Sequence, residues 1–207
     1  MKLLLLPKKA AKKLLWRLFR TPKLKKKIRE SFPLRLIIGS SGTEANGWIG
    51  TEVHDLNLLN IQDWDNLLGP CRAERILAEH VWEHLTLEDG TLAAKTCYKY
   101  LTEGGKVRVA VPDGLFPDDE YIEYVKPGGH GDGSDDHKVL YTYSMLKDVF
   151  SAAGFKCQLL EYFDESGQFK KIDWDISDGM ISRSAQFDSR NSDGKLKYTS
   201  IILDATK

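Results

Sequence analysis

The amino-acid sequence predicts an open α/β fold built on a mostly parallel sheet, and three observations support this prediction. Short β-rich runs alternate with stretches of helical periodicity through residues 34–207. The run Lys106–Val111 is apolar-rich throughout, as in a strand buried on both faces of a parallel sheet. Three β-rich runs are followed at once by glycine, acidic or other polar residues. In an open α/β sheet, a nucleotide-like ligand binds at those carboxyl ends.

The predicted elements follow from local patterns. In chain order, the predicted strands are Leu34–Ile38, Trp48–Val53, Leu59–Gln62, Arg75–Glu79, Lys106–Val111, Cys157–Tyr162 and Ser200–Ala205. Thr86 opens a helix, with Asp89 three residues further on in a capping-box-like arrangement. Ser144 is expected to cap a second helix, Met145–Ala153. The stretch 163–198 receives no predicted element.

The charge is divided unevenly between an N-terminal segment, residues 1–33, and one domain, residues 34–207. Residues 1–35 carry 13 Lys and Arg against a single acid, Glu30, so the remainder carries 17 basic and 29 acidic groups. Within the basic part, KKAAKKLLWRLFR predicts an amphipathic helix with lysine and arginine on one side. Residues 8–29 are therefore expected either to contact an anionic membrane surface or a partner, or to pack on the domain. Nucleic-acid binding is not expected.

Cysteine usage and hydropathy favour a cytoplasmic protein. The basic segment suggests that this protein attaches peripherally to the inner face of the membrane. Cys71, Cys97 and Cys157 are widely spaced and form no CxxC pair, so neither a disulfide framework nor a zinc site is indicated. The apolar run of residues 3–6 is too short for a signal-peptide core or a membrane span.

A glycine-rich turn, GSSGTEANGW, follows the first predicted strand. Gly39, Gly42 and Gly47 allow a tight turn and a close approach of the backbone to an anionic ligand. Only eight residues, 40–47, separate the first two predicted strands, which is fewer than a helical crossover needs. The first helix of the fold is therefore predicted to be reduced to a turn.

Four segments in a set order carry a resemblance to a known family: LRLIIGSSGTEANGWIGTE, ILAEHVWEHLT, YLTEGGKVRVAVPDG and LKDVFSAAGF. Over residues 34–207 the chain resembles the class I S-adenosylmethionine-dependent methyltransferases, most closely a small bacterial branch often found among polysaccharide-synthesis proteins. The resemblance implies a Rossmann-like sheet with a reversed last strand and S-adenosylmethionine as cofactor. It implies methyl transfer to an oxygen or nitrogen nucleophile of a small molecule, with a sugar or glycan as the suggested acceptor.

The resemblance also assigns the cofactor-binding residues. It places the methionine end of the cofactor on the turn that contains Gly39, Ser41 and Gly42, although many relatives have glycine where Ser41 stands. Glu52 matches the acid that pairs with the two ribose hydroxyls, because one carboxylate accepts both hydrogens. Asp63 matches the acid or amide that holds the adenine amino group.

Three further residues are expected to surround the cofactor. Trp64, beside Asp63, would cover the face of the adenine ring. Glu79 and His80 stand at the tip of the fourth predicted strand, beside the methyl donor. His80 would remove a proton from a substrate hydroxyl, since the ordinary pKa of histidine lies near the operating range; the alternative is that it only hydrogen-bonds a loop.

The substrate side is expected at Asp113, which ends the fifth predicted strand. The Gly-rich stretch 126–137 is predicted to be a lid that closes over a substrate and excludes water, with His137 at its far end on the acceptor. An inert loop is the alternative. A divalent-ion site is a third hypothesis. Its spacing matches no recognised metal-binding loop, and its ligands would be His130, Asp132, Asp135, Asp136 and His137.

The motif HVWEH, residues 80–84, fits the HxxEH pattern of inverted zinc proteases. In that pattern two histidines one helical turn apart bind zinc, and the glutamate activates water. Here the motif follows a β-rich run instead of lying inside a long helix, and no other peptidase residues accompany it. A zinc protease is therefore not predicted, and no residue is assigned as a metal ligand.

Two other functions stay open at the level of the sequence. Ser41 and the shortened turn are compatible with a non-catalytic S-adenosylmethionine-binding module of the same fold. An NAD-dependent enzyme is less well supported, because no GxGxxG motif lies between a strand and a full helix.

Overall fold

The computed structural model describes residues 20–43 and 45–207, and within them strands and helices alternate. The strands are β1 (Arg35–Ile38), β2 (Ile49–Thr51), β3 (Ala73–Glu79), β4 (Leu101–Pro112), β5 (Lys156–Phe163), β6 (Phe169–Lys171) and β7 (Ser200–Thr206). The helices are α1, described over residues 20–30, α2 (Ile61–Leu68), α3 (Leu87–Tyr100), α4 (Asp119–Val125) and α5 (Tyr143–Ala152).

The strands form one sheet in the order β2-β1-β3-β4-β7-β5-β6. Strands β1 to β4 pair in parallel, whereas β7 is antiparallel to both of its neighbours, β4 and β5. The predicted Rossmann-like α/β class and its reversed last strand are thus confirmed. Strand β6, which was not predicted, is also reversed because it forms a hairpin with β5.

The two faces of the sheet are covered differently. Alternate side chains point to opposite faces of a strand, so Leu36 and Ile38 of β1 face one side and Ile37 the other. The first side packs against α1, α2, α3 and α5 in the main core. The second side packs against the long segment 172–198, which contributes Trp174 and Ile181. Segment 172–198, which contains no long helix, therefore covers this face of the sheet in place of a helical layer.

One buried ion pair anchors that segment to the sheet. The guanidinium of Arg108 in β4 donates from Nε and Nη2 to the two carboxylate oxygens of Asp204 in β7, at 2.8 and 2.9 Å. Its Nη1 donates to the carbonyl oxygens of Asp175 and Gly179, both at 2.7 Å. The ring of Trp174 lies 4.8 Å from the guanidinium carbon. Arg108 thus links two strands to the segment that covers them.

Two local predictions were wrong. Leu59–Gln62 is not a strand, because the Asn60 side chain accepts a hydrogen bond from the Gln62 N–H and so caps helix α2. Helix α5 is capped by Thr142, whose hydroxyl accepts from the Met145 N–H, and not by Ser144. The predicted cap at Thr86 is confirmed, since its hydroxyl accepts from the Asp89 N–H.

The basic N-terminal segment is described only from residue 20, so the predicted amphipathic helix over residues 8–20 lies almost entirely outside the described residues. The described helix α1 buries Leu24 and Ile28 in the main core. Its Arg20 donates from Nε to both carboxylate oxygens of the buried Asp55, at 3.0 and 3.2 Å. This part of the segment packs on the domain. No described helix is both long enough and apolar enough to cross a membrane.

Candidate functional site

Two consecutive turns join β1 to β2, and no helix occurs among the described residues between them. In the first, the Thr43 N–H donates to the Ser40 carbonyl oxygen at 2.7 Å. Ser41 and Gly42 have φ of 46° and 83°, the left-handed values that the central residues of a type I′ turn adopt. In the second, the Trp48 N–H donates to the Ala45 carbonyl oxygen. The crossover is short because turns replace the helix.

A serine and a glutamate meet where β1 and β2 end. The Ser40 hydroxyl donates to Glu52 Oε1 at 2.7 Å, so the first residues of the turn hold the carboxylate beyond the end of β2. Glu52 Oε2 has no hydrogen-bond partner within the described part of the chain. A Cβ at Gly50 would stand 2.8 Å from the Ser40 hydroxyl oxygen. Glycine at position 50 is therefore required for the serine to reach the glutamate.

A cleft of about 910 Å³ opens between these turns and helix α1. Its lining comprises Arg20, Lys23, Leu24, Lys27 and Ser31 from the N-terminal side and Ser40, Gly42, Thr43, residues 45–50 and Glu52 from the turns. Added Cβ atoms at Gly42 and Gly47 would meet nothing within 4 Å. The cleft thus brings three cations from α1 opposite the Ser40–Glu52 pair.

The structure separates the other predicted cofactor residues from this cleft. A Cβ at Gly39 would lie 2.9 Å from Val81 Cγ2, so this glycine makes room for a side chain of the protein. Asp63 lies in the first turn of α2, where its Oδ2 accepts from the Asn57 N–H at 3.4 Å. Trp64 is fully buried and stacks on Tyr100, with ring centroids 5.1 Å apart. In this structure Trp64 therefore lies in the core and presents no face to an adenine ring.

Glu79, at the tip of β3, contacts segment 172–198. Its carboxylate oxygens accept from the Ser182 N–H at 3.1 Å and the Arg183 N–H at 2.8 Å. The Arg183 guanidinium adds an ion pair at 3.5 Å. In this structure Glu79 holds segment 172–198 against the strand tip.

Both ring nitrogens of His80 contact side chains of the fold. The Ser200 hydroxyl donates to the Arg183 carbonyl oxygen at 2.8 Å, so its oxygen accepts from His80 Nε2 at 3.0 Å. Nδ1 lies 3.3 Å from Glu83 Oε1. Burial lowers the pKa of His80 well below its ordinary value, and the positive charge of Arg183 acts in the same direction. With the hydrogen on Nε2, the lone pair of the neutral ring is on Nδ1, so the contact with Glu83 must break before His80 can accept a substrate proton.

Glu83 is the most unusual carboxylate of the domain. It follows β3 in a single 3₁₀ turn and is completely buried, and neither carboxylate oxygen has a hydrogen-bond partner among the described residues. Burial raises the pKa of Glu83 to about 8. Glu83 was not among the predicted site residues, although it belongs to the HVWEH motif.

The stretch 126–137 brings His137 to this turn. The stretch folds back on itself, with the Gly128 N–H donating to the Ser134 carbonyl oxygen at 2.9 Å. The rings of His84 and His137 meet edge to face, with centroids 4.8 Å apart. Glu83, His84 and His137 offer three ligand atoms within 4.8 Å of one another, and we call these three residues the Glu83 cluster. His80 adjoins the cluster through Glu83.

Asp113 is completely buried beyond the end of β4, away from solvent. Its two carboxylate oxygens accept from the Leu115 N–H at 2.9 Å and the Phe163 N–H at 2.7 Å. These bonds join the loop after β4 to the end of β5. The structure therefore shows a bracing contact where the sequence placed the mouth of a substrate site.

Asp113 gives a pH dependence that can be tested. Burial raises its pKa from 3.8 to about 6. The native carboxyl therefore keeps its proton to higher pH than the unfolded one. Its contribution to stability is complete below about pH 3.8 and is lost as the pH rises through about 6. Asp113→Asn cannot titrate, so relative to the parent its free energy of unfolding should rise by about 2 to 3 kcal/mol from pH 3.5 to 7. Urea denaturation at several pH values measures this, and parallel profiles would contradict it.

A scan against protein-family models and a search of curated proteins found no match. Solved structures with a similar fold include a SAM-dependent methyltransferase of Archaeoglobus fulgidus, 16% identical, covering 94% of this chain and 98% of that one at a TM-score of 0.47. A Thermotoga maritima methyltransferase described as a possible histamine N-methyltransferase is 14% identical, covering 96% of both chains at 0.46.

Human N-acetylserotonin methyltransferase, in complex with SAM, is 12% identical; the match covers 96% of this chain and 54% of the human one at a TM-score of 0.46. This chain thus spans about half of the human protein. At these identities and TM-scores the likenesses say nothing about the site, and the fold class rests on the order and directions of the strands.

Proposed function

We propose that this protein is an S-adenosylmethionine-dependent methyltransferase acting on an oxygen or nitrogen nucleophile. One observation carries the proposal: the Ser40–Glu52 pair lies at the carboxyl ends of the parallel strands β1 and β2 and faces a cleft of about 910 Å³. In an open α/β sheet this is where a nucleotide-like ligand binds, and an acid at this place pairs with ribose hydroxyls. The sequence resemblance supplies the identity of the ligand.

The residues around the cleft suit the parts of such a cofactor. Glu52 Oε2 is the acceptor for the ribose hydroxyls, while the bond from Ser40 holds the other oxygen. Lys23 and Lys27 of α1 line the same cleft and supply positive charge for the carboxylate of the methionine end. When bound, the cofactor supplies an electrophilic methyl group on a good leaving group. The task of the protein is then alignment and, for a hydroxyl acceptor, removal of a proton.

The acceptor forms the second part of the proposal. The sequence resemblance implies that the methyl acceptor is a hydroxyl of a sugar or glycan. His80 is the residue proposed to take the proton of that hydroxyl. His80 directly follows β3, whose carboxyl end is at the same edge of the sheet as those of β1 and β2. Segment 172–198 contacts Glu79 through the Arg183 N–H and His80 through the ring of Tyr198, with ring centroids 6.3 Å apart, so movement of this segment is the step that would give an acceptor access to His80.

Titration calorimetry with S-adenosylhomocysteine, with NADH as the comparison ligand, tests the cofactor. Glu52→Gln keeps the size of the side chain but removes its charge. A hydrogen bond to a charged group contributes about 1.5 to 3 kcal/mol, so we expect about ten- to hundredfold weaker binding. Glu103→Gln is the matched control, because Glu103 is an exposed glutamate near the opposite end of β4. Unchanged affinity in Glu52→Gln, or tighter binding of NADH by the parent, would refute the assignment.

A non-catalytic binding module of the same fold is the second candidate, and the contacts of His80 favour it. With Nε2 on Ser200 and Nδ1 facing Glu83, this histidine presents no unengaged nitrogen to an acceptor. The two candidates differ in turnover. Release of S-adenosylhomocysteine from S-adenosylmethionine, measured across sugars, nucleotide sugars, phenols and amines, identifies an enzyme; binding without release on any of them identifies the module.

A further inference from the structure

We propose that the Glu83 cluster, formed by Glu83, His84 and His137, binds a divalent transition-metal ion. Each residue offers one ligand atom, and the three atoms lie within 4.8 Å of one another. Ligand atoms around a tetrahedral zinc ion stand about 3.3 Å apart, so small side-chain rotations would bring these three atoms to coordinating distance. The proposal concerns metal binding alone and does not depend on the identity of the cofactor in the cleft.

The strongest support comes from polar atoms that the protein leaves unsatisfied. Both carboxylate oxygens of Glu83 and Nδ1 of His84 are buried without a hydrogen-bond partner among the described residues. The nearby polar groups, His80 Nδ1 at 3.3 Å from Glu83 and Asp136 Oδ2 at 3.5 Å from His84, do not meet hydrogen-bond geometry. Buried polar atoms are almost always partnered in folded proteins, and leaving one unpartnered costs free energy. A cation among these atoms would satisfy them together.

His137 is already held in the form that binds a metal ion. Its Nδ1 lies 2.7 Å from the Val125 carbonyl oxygen, and a carbonyl can only accept, so Nδ1 carries the hydrogen. The lone pair of the neutral ring is therefore on Nε2. Metal-ligating histidines typically donate their other N–H to a carbonyl or a carboxylate, which orients the ring. Val125, at the end of α4, provides this support.

The backbone joins the two segments that carry the ligands. The N–H groups of Lys138 and Val139, directly after His137, donate to the Glu83 carbonyl oxygen at 2.7 and 3.2 Å. The 3₁₀ turn and the end of stretch 126–137 are thereby held together without any metal. Such a preorganised pair of segments limits the rearrangement that binding requires.

The donor set selects the class of ion. Two imidazole nitrogens and one carboxylate suit zinc, iron, cobalt or nickel, whereas magnesium and calcium prefer oxygen ligands. Three protein ligands leave a coordination position open for water or another ligand. The HVWEH motif therefore contributes its glutamate and second histidine to the proposed site, and the third ligand comes from a residue more than fifty positions away.

The test uses the full chain, stripped of metal by a chelator and then titrated with Zn²⁺ against a fluorescent zinc indicator. The parent should bind one Zn²⁺ per chain. Glu83→Gln and His137→Asn should each weaken binding by more than about tenfold. His130→Asn is the matched control, because His130 is an exposed histidine of the same stretch and should bind like the parent. Mg²⁺ at the same concentrations should not compete.

Co²⁺ provides a readout that does not depend on how well the variants fold. Bound by the parent, it should show visible absorption bands of a low-symmetry site and no thiolate charge-transfer band. The proposal fails if the parent takes up no stoichiometric Zn²⁺, if Glu83→Gln and His137→Asn bind as the parent does, or if the Co²⁺ spectrum shows a cysteine ligand. An equal loss of binding in His130→Asn would place the ion elsewhere in the stretch and would also overturn the proposal.

Discussion

Replacing Asp204 by alanine should lower the free energy of unfolding by about 3 to 5 kcal/mol. Arg108 is 1% exposed, and Asp204 accepts two hydrogen bonds from its guanidinium. The substitution removes that partner and leaves the cation buried; it also removes a contact of 3.0 Å to Lys106. The loss exceeds that of a surface ion pair because water cannot replace the carboxylate.

Urea denaturation of the parent and variant measures this difference. Asp193→Ala is the matched control, since Asp193 forms an exposed ion pair with Lys197 and its loss should change stability by no more than about 0.5 kcal/mol. In Asp204→Ala, segment 172–198 should also detach from the sheet, because Arg108 donates to the Asp175 and Gly179 carbonyl groups of this segment. Loss of less than about 1 kcal/mol would show that the buried ion pair does not anchor the segment.

Trp64→Ala should destabilise the protein by about 3 to 5 kcal/mol, because the side chain is completely buried between α2 and the main core. Its stacking on Tyr100 is lost as well. Thermal or urea unfolding measures the effect. Leu92→Ala is the control, since Leu92 is 49% exposed on α3 and its truncation should cost far less.

The same position separates a core role from a cofactor role. Trp64→Phe keeps an aromatic ring in the core, so the variant should fold and bind S-adenosylhomocysteine as tightly as the parent. If instead the affinity falls sharply while stability is kept, the ring contacts the cofactor after all, and its buried position in this structure would not represent the bound state.

Strand positions could be predicted from the sequence because they depend on local pattern. The runs at β1, β3, β4 and β7 contain valine or isoleucine and are bounded by glycine, proline or polar residues, which is typical of buried strands. The short run Leu59–Gln62 has the same appearance. Its outcome was decided by Asn60 as a cap and by Trp64, Leu67 and Leu68, which share one face at helical spacing.

The candidate cofactor site was partly predictable for the same reason. Glu52 directly follows β2, and the carboxyl end of a strand can be located from the run itself. The partner of Glu52, Ser40, was not identified, because it depends on how β1 and β2 pair and on the small size of Gly50. No local pattern reports which side chain of a neighbouring strand will reach a carboxylate.

By itself, the sequence determined the α/β class, the short link from β1 to β2, and the acid at the end of β2, since each depends on residues close together in the chain. Only the tertiary structure decided the surroundings of Glu79, His80 and Glu83. Segment 172–198 lies over the first two, although about a hundred residues separate them in the chain, and stretch 126–137 brings His137 to the third. Burial and pKa follow from these long-range contacts, because desolvation depends on everything packed around a group and not on its neighbours in sequence.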